Sequence, residues 1–143
     1  MVNKKIFLDM DGVLVDYQKG IKEHSLEKPK EFWKYLPPTK EFEQILSIVE
    51  NYLNPSDIYV LSSPALYPEC FSGKATWIRD HMPKYLPRLI LTSHKYLLAN
   101  PRTLLIDDHD KNTELFKQHK GKAFLVNPLI DFLPLLSLAV RKF

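Results

Sequence analysis

Ile6-Phe7-Leu8-Asp9-Met10-Asp11-Gly12-Val13-Leu14 decides how the rest of the chain is read. A short apolar run enters two carboxylates spaced i, i+2, and a glycine follows. Residues two apart on a β-strand point to the same face. Asp9 and Asp11 then address one spot while Met10 turns away. Gly12 lets the backbone leave the strand sharply. Two acids held that close are costly unless a cation or a shared proton relieves them. The plainer alternative is a strand-ending turn with two solvated aspartates, and the rest of the chain must decide.

Outward from this stretch, apolar runs recur at helix-length intervals. Residues 58–61, 88–92, 103–106 and 123–126 read as four more strands after the first at 6–9. Strands that are apolar throughout are buried on both faces, which implies a parallel sheet covered by helices. Between them, Phe42, Ile45, Leu46, Val49, Tyr52 and Leu53 follow the helical period, so residues 40–53 read as an amphipathic helix with Thr39 as its N-cap. Ser72 is the expected cap of a helix running to Met82. Residues 94–99 suggest one short helical turn. Asp110 is the expected cap of a helix to Lys120, stopped by Gly121. A last helix covers about residues 131–141.

The 143 residues are the usual size of one domain, and 45% hydrophobic content supplies a real core. The formal charge of +3 comes with no long basic run, so no nucleic-acid polymer is expected as partner, and a small anion suits it. Cys70 is the only cysteine, which excludes a disulfide framework and a cysteine metal site. No stretch reads as a signal peptide or a bilayer span, so a cytoplasmic protein without membrane contact is expected. Residues 17–40 differ in character. They are charged, aromatic and proline-bearing, and read as a small helical insertion after the first strand.

In an open parallel sheet the site lies beyond the carboxyl ends of the strands. There strand one delivers Asp9 and Asp11, strand two Ser62 and Ser63, strand four Asp107 and Asp108, and Lys95 follows strand three. Singly, these are a turn serine, an exposed lysine and helix-capping acids. Together they suit a hard cation on oxygen ligands, with hydroxyls and an ammonium placed for phosphate. An ionised aspartate could then attack phosphorus.

With these residues in view, the chain resembles the haloacid dehalogenase (HAD) superfamily, and within it the 5′(3′)-deoxyribonucleotidase-like phosphatases. The D-x-D-G-V motif stands as Asp9-Met10-Asp11-Gly12-Val13. Val60-Leu61-Ser62, continuing into Ser63-Pro64, matches the second motif. Lys95 in Thr92-Ser93-His94-Lys95 matches the third, and Leu104-Leu105-Ile106-Asp107-Asp108 the fourth. Lys74-Ala75-Thr76-Trp77-Ile78 matches the K-x-x-W-[VI] segment of the nucleotidase branch.

The resemblance implies an α/β, HAD-like Rossmannoid three-layer fold in one domain, with a cap at about residues 17–40. It implies a Mg²⁺-dependent phosphatase acting on a small phosphorylated substrate such as a nucleoside monophosphate, as monomer or homodimer. Asp9 would be nucleophile and metal ligand. Asp11 would be general acid and base, with its backbone carbonyl on the metal. Asp108 would bind the metal directly and Asp107 from further out. Ser62 and Lys95 would hold phosphate, helped by Ser63 and Lys74. Phe32 and Trp33 in the cap either stack on a base or form the cap's own core. His109 is positional, and His24, His81, His94 and His119 carry no metal role.

Three other readings compete. A phospho-acceptor signalling domain uses similar residues, but its acidic pair comes early, whereas here it comes late. A non-catalytic scaffold of the same fold is the second. A phosphatase of sugar phosphates or nucleic-acid ends is the third.

Overall fold

β1 (Lys5–Leu8) is the central strand of the sheet. The computed structural model describes residues 3–24 and 31–143. β2 (Ile58–Ser62), β3 (Leu89–Leu91), β4 (Thr103–Asp107) and β5 (Lys122–Leu125) join β1 in an all-parallel sheet of order β3-β2-β1-β4-β5. Leu8 is level with Val60 on one side and Ile106 on the other. The chain therefore leaves β1 between the ends of β2 and β4. Strand order reverses between β1 and β4, where open α/β sheets bind their ligands.

The three middle strands are buried nearly throughout, as continuous apolar runs require. The edges depart from that expectation: β3 is half-buried and Leu125 of β5 is exposed. Alternation along the strands separates two cores. Ile6, Leu8, Ile58, Val60, Leu104 and Ile106 face the larger one. Helices α2 (Phe42–Tyr52), α3 (Pro68–His81) and α5 (Leu133–Lys142) cover it through Ile45, Val49, Trp77, Leu136 and Val140. Phe7, Leu61 and Leu105 face the smaller core, which α4 (Asp110–Gln118) closes with Phe116.

Several helix ends differ from the sequence expectations. α2 begins at Phe42, and the Thr39 hydroxyl donates instead to Val13 O at 2.8 Å, which ties the loop after β1 in place. Tyr52 lies on the exposed side of α2. α3 begins at Pro68, whose fixed φ suits a first helical residue, so Ser72 lies inside the helix rather than capping it. His109 occupies the N-cap of α4, with Asp110 the first helical residue. At the other end Lys120, with φ +75°, takes the left-handed position. Lys120 N–H bonds Lys117 O and Gly121 N–H bonds Phe116 O, the paired closure of a Schellman end.

The described part of the 17–40 stretch forms helix α1 (Tyr17–His24) and a 3₁₀ turn (Trp33–Tyr35). Phe32, Trp33 and Leu36 join the larger core. Trp77 donates its indole N–H to Leu36 O at 2.8 Å. Gly73 makes this approach of α3 feasible: a Cβ there would stand 2.6 Å from Trp33 Cβ. The rest of the expected cap, residues 25–30, and the side chain of His24 lie outside the described residues.

Candidate active site

β1 ends at Leu8, so Asp9 stands just past the strand and Asp11 in a turn. The two acids share a site through that turn rather than through strand alternation, which corrects the i, i+2 expectation. Val13, Leu14 and Val15 N–H all point to Met10 O, and Gly12 N–H bonds Val15 O at 2.8 Å. Gly12 has φ +87°, and a Cβ on it would lie 1.9 Å from Asp108 Oδ2. Only glycine permits both the turn and the close approach of the acidic pair.

Around Asp9 lies a buried charge cluster. Lys95 Nζ donates to Asp9 Oδ1 at 2.7 Å and to Asp107 Oδ2 at 2.8 Å, and all three side chains are at least nine-tenths buried. One positive charge faces two carboxylates, so their remaining donors set them apart. Asp107 also accepts from His109 N–H at 2.9 Å and Asn112 Nδ2 at 3.1 Å. Burial pushes Asp107 upward, but Lys95 and these donors hold it below the ordinary carboxylate range. Asp9 has fewer donors. Burial, with Asp107 and Asp11 nearby, raises it well above that range despite Lys95. Burial pulls Lys95 down, and Asp9 and Asp107 outweigh it and keep the ammonium charged. Asp108 lies exposed at the mouth, where the surrounding protein and then Asp107 push its carboxyl up.

Carboxylate oxygens of Asp9, Asp107 and Asp108 lie within 4.8 Å of one another. Three hard oxygen donors at that spacing, two of them with raised carboxyls, fit a divalent cation such as Mg²⁺.

A second lysine serves Asp11. Lys74 of α3, only 1% exposed, donates to Asp11 Oδ2 at 2.9 Å and sits 5.1 Å from the centre of the Trp33 ring. Trp33 stacks on Tyr17 at 5.7 Å and donates its indole N–H to the Tyr67 hydroxyl. Asp11 Oδ1 and Ser62 Oγ are buried without a hydrogen-bond partner among the described residues. Ser63 is exposed, and its hydroxyl donates to Thr92 O at 3.1 Å.

A cleft of about 390 Å³ opens beside Asp11, Gly12 and Asp108. Tyr17 lines it, an aromatic that the motif reading passed over because it follows the first motif directly rather than lying among the cap aromatics. Phe32 is fully buried between Tyr17 and Trp33, so base stacking on Phe32 is corrected: it is core. Trp33 is 5% exposed and acts as a backing for Lys74 and Tyr17. Among the other histidines, His81 stacks on Trp77, and His119 Nδ1 lies 2.9 Å from Leu115 O. The metal-competent group contains no histidine. No helix among the described residues is long and apolar enough to cross a membrane.

A scan against protein-family models finds no match. Over 119 residues the chain is 30% identical to a Vibrio phage KVP40 protein named "Putative 5′(3′)-deoxyribonucleotidase", an alignment spanning 75% of this chain and 67% of that one. A HAD family enzyme from Bacteroides thetaiotaomicron superposes with a TM-score of 0.59 at 13% identity, over 94% of this chain and 98% of that one. The wild-type form of that enzyme, in complex with magnesium and inorganic phosphate, gives 0.57 at 13% identity over 94% and 99%. At such identity these structures speak for the fold, and the phage relative speaks for the family. The chain belongs to the HAD superfamily, within its 5′(3′)-deoxyribonucleotidase-like family of phosphatases.

Proposed function

We propose that the protein is a Mg²⁺-dependent phosphomonoesterase that hydrolyses nucleoside monophosphates through an aspartyl-phosphate on Asp9. One observation carries this reading: Asp9 is held by Lys95 at the sheet's switch point, beside Asp108 and two residues from an acid with a buried, unpartnered oxygen. The phage relative's name supports the substrate class, and the Bacteroides enzyme's complex supports the metal and the phosphate. Asp9, Asp108 and the backbone carbonyl of Asp11 would hold Mg²⁺, with Asp107 behind them. Bound there, the ion would offset the acids' charge and favour ionised Asp9.

The chain's own groups divide the rest. Asp9 attacks phosphorus as the bond to the leaving oxygen breaks, and protonated Asp11 gives that oxygen its proton. Lys74 fixes Asp11 through Oδ2. Asp11 then takes a proton from the water that attacks the aspartyl-phosphate, which returns Asp9 and releases phosphate. Lys95 keeps Asp9 aimed, and the Ser62 hydroxyl is free to donate to a phosphate oxygen. Tyr17 offers an aromatic wall at the cleft for a base.

The test is a panel of 5′- and 3′-nucleoside monophosphates against sugar phosphates, with Mg²⁺ and with chelator. Nucleotides should turn over faster, chelator should stop turnover, and Asp9→Asn should lower kcat by about 10⁴-fold or more while the protein stays folded. Sugar phosphates equal to every nucleotide would remove the nucleotide assignment. Full activity in Asp9→Asn would remove the mechanism.

A further inference from the structure

Asp11 is held by a row of side chains that runs well beyond its ion pair. Lys74 Nζ donates to Asp11 Oδ2 at 2.9 Å, and the Lys74 side chain is only 1% exposed. A buried ammonium has three donors and has lost its water. One partly exposed carboxylate does not replace that shell. The second support is the Trp33 ring, whose centre lies 5.1 Å from Nζ. A ring face attracts a desolvated cation more strongly than a hydrated one. That attraction requires the face of the ring, and not its edge, to point at the ammonium.

The orientation of the ring is set from further out. Trp33 comes from the insertion after β1 and meets α3 where Gly73 leaves room for it. Close backbone approach brings the ring near Lys74 without deciding how it turns. Tyr17 stacks on the ring at 5.7 Å with 21° between the planes, which still permits rotation within the plane. The indole N–H donates to the Tyr67 hydroxyl, and that bond removes the remaining freedom. Tyr67 is the N-cap of α3, and Lys74 lies seven residues on, two turns along the same face. The residue that holds the ring and the residue that the ring supports therefore ride on one helix.

We propose that Tyr67 is a positioning residue for proton transfer: its hydroxyl fixes the Trp33 indole, the indole seats Lys74, and Lys74 aims Asp11 at the leaving oxygen. This rests on the phosphatase reading and adds to it. The step served breaks the Asp11 O–H bond. The proton goes to the leaving oxygen, which keeps the electron pair of the breaking P–O bond. A nucleoside alkoxide needs that proton in order to leave, whereas p-nitrophenolate leaves without one. A misaimed general acid therefore slows the first substrate and spares the second.

The experiment compares Tyr67→Phe with wild type in kcat/KM for the nucleoside monophosphate that turns over fastest and for p-nitrophenyl phosphate, both with Mg²⁺. Phenylalanine keeps the ring and loses only the acceptor. kcat/KM covers the steps up to leaving-group release, so the later use of Asp11 as a base does not enter. The nucleotide value should fall about tenfold and the aryl phosphate value about twofold or less. A purely structural role would lower both alike. In a Lys74→Met background the same change should move the ratio no further, because Tyr67 acts through Lys74. Equal losses on both substrates, no loss on either, or a full tenfold loss on top of Lys74→Met overturn the proposal. A second readout needs no turnover: acetylation of Lys74 by acetic anhydride, located by peptide mass. Tyr67→Phe should raise the rate at Lys74 about fivefold relative to exposed Lys40 in the same sample. An unchanged ratio overturns the seating of Lys74. Wild-type protein that hydrolyses neither substrate, with Lys74 released by Tyr67→Phe, would sink the phosphatase reading and leave the hold of Tyr67 on Lys74 standing.

Discussion

Two buried lysines serve two aspartates two residues apart, and they are built differently. Lys95 comes from the turn after β3 and bridges Asp9 to Asp107, all three at the ends of the sheet's strands and turns. Lys74 comes from α3 and reaches Asp11, backed by Trp33 and Tyr67 from the covering layer. The first arm is nearly enclosed, with Lys95 and Asp9 side chains 5% and 8% exposed and Asp107 fully buried. The second opens onto the cleft, since the Asp11 side chain is 30% exposed. The difference suits the two tasks. A nucleophile must be fixed and shielded, while a proton donor must reach a leaving group and then a water.

Lys95→Met is the largest blow to that contrast. It leaves the Asp9 and Asp107 carboxyls facing each other in a buried space. Breaking a buried ion pair by removing one partner costs about 3–5 kcal/mol. The urea midpoint should fall accordingly, and phosphatase activity should be lost with it. A fall no larger than that of a surface lysine would show that the first arm is not closed.

Lys74→Met should do less to stability and act more selectively on rate. Methionine can fill most of the stem's volume against Trp33, and Asp11 can turn its charge to water. The expected stability loss is about 1–2 kcal/mol. Asp11 loses its anchor, so kcat should drop on the order of 10²-fold, within the range of general acid–base catalysis. Unfolding midpoint and kcat measured on the same preparation separate the arms. If Lys74→Met unfolds as readily as Lys95→Met, the two arms are alike.

The first arm was legible in the sequence and the second was only half so. Asp9, Lys95 and Asp107-Asp108 each follow an apolar strand, and a parallel sheet brings strand ends to one edge without further information. The strands themselves were visible because a run such as Leu104-Leu105-Ile106 has few other uses. Lys74 was placed with phosphate by its motif, but its contact with Asp11 spans 63 residues and depends on how closely α3 packs on Trp33. No local pattern encodes that distance. The caps failed for the opposite reason. Thr39 and Ser72 have the right chemistry for a cap, yet Thr39 found Val13 O and Pro68 had already started the helix. Phe32 was lost to the core because an aromatic in an insertion reads the same whether it faces solvent or the sheet.

A third ion pair gives the scale against which both buried lysines are measured. On the surface, Lys84 Nζ lies 2.9 Å from Glu50 Oε1, and the Tyr85 hydroxyl donates to the same oxygen at 2.6 Å. Burial pushes Glu50 up, but Tyr85 and Lys84 overcome it and hold the carboxyl below its usual 4.5. A carboxyl depressed by folding adds stability that is complete above its unfolded value and is lost as pH falls through the folded one. Glu50→Gln keeps an acceptor for Tyr85 and removes only the charge. At pH 7 it should cost about 0.5 kcal/mol or less, because water screens a pair in which the lysine is 56% exposed. The gap between wild type and variant should narrow as pH drops from about 5 to about 3. Urea midpoints across that range check it. A gap that stays constant with pH would mean that Lys84 contributes nothing. The contrast would then lie between paired and unpaired lysines, with burial no longer the variable that matters.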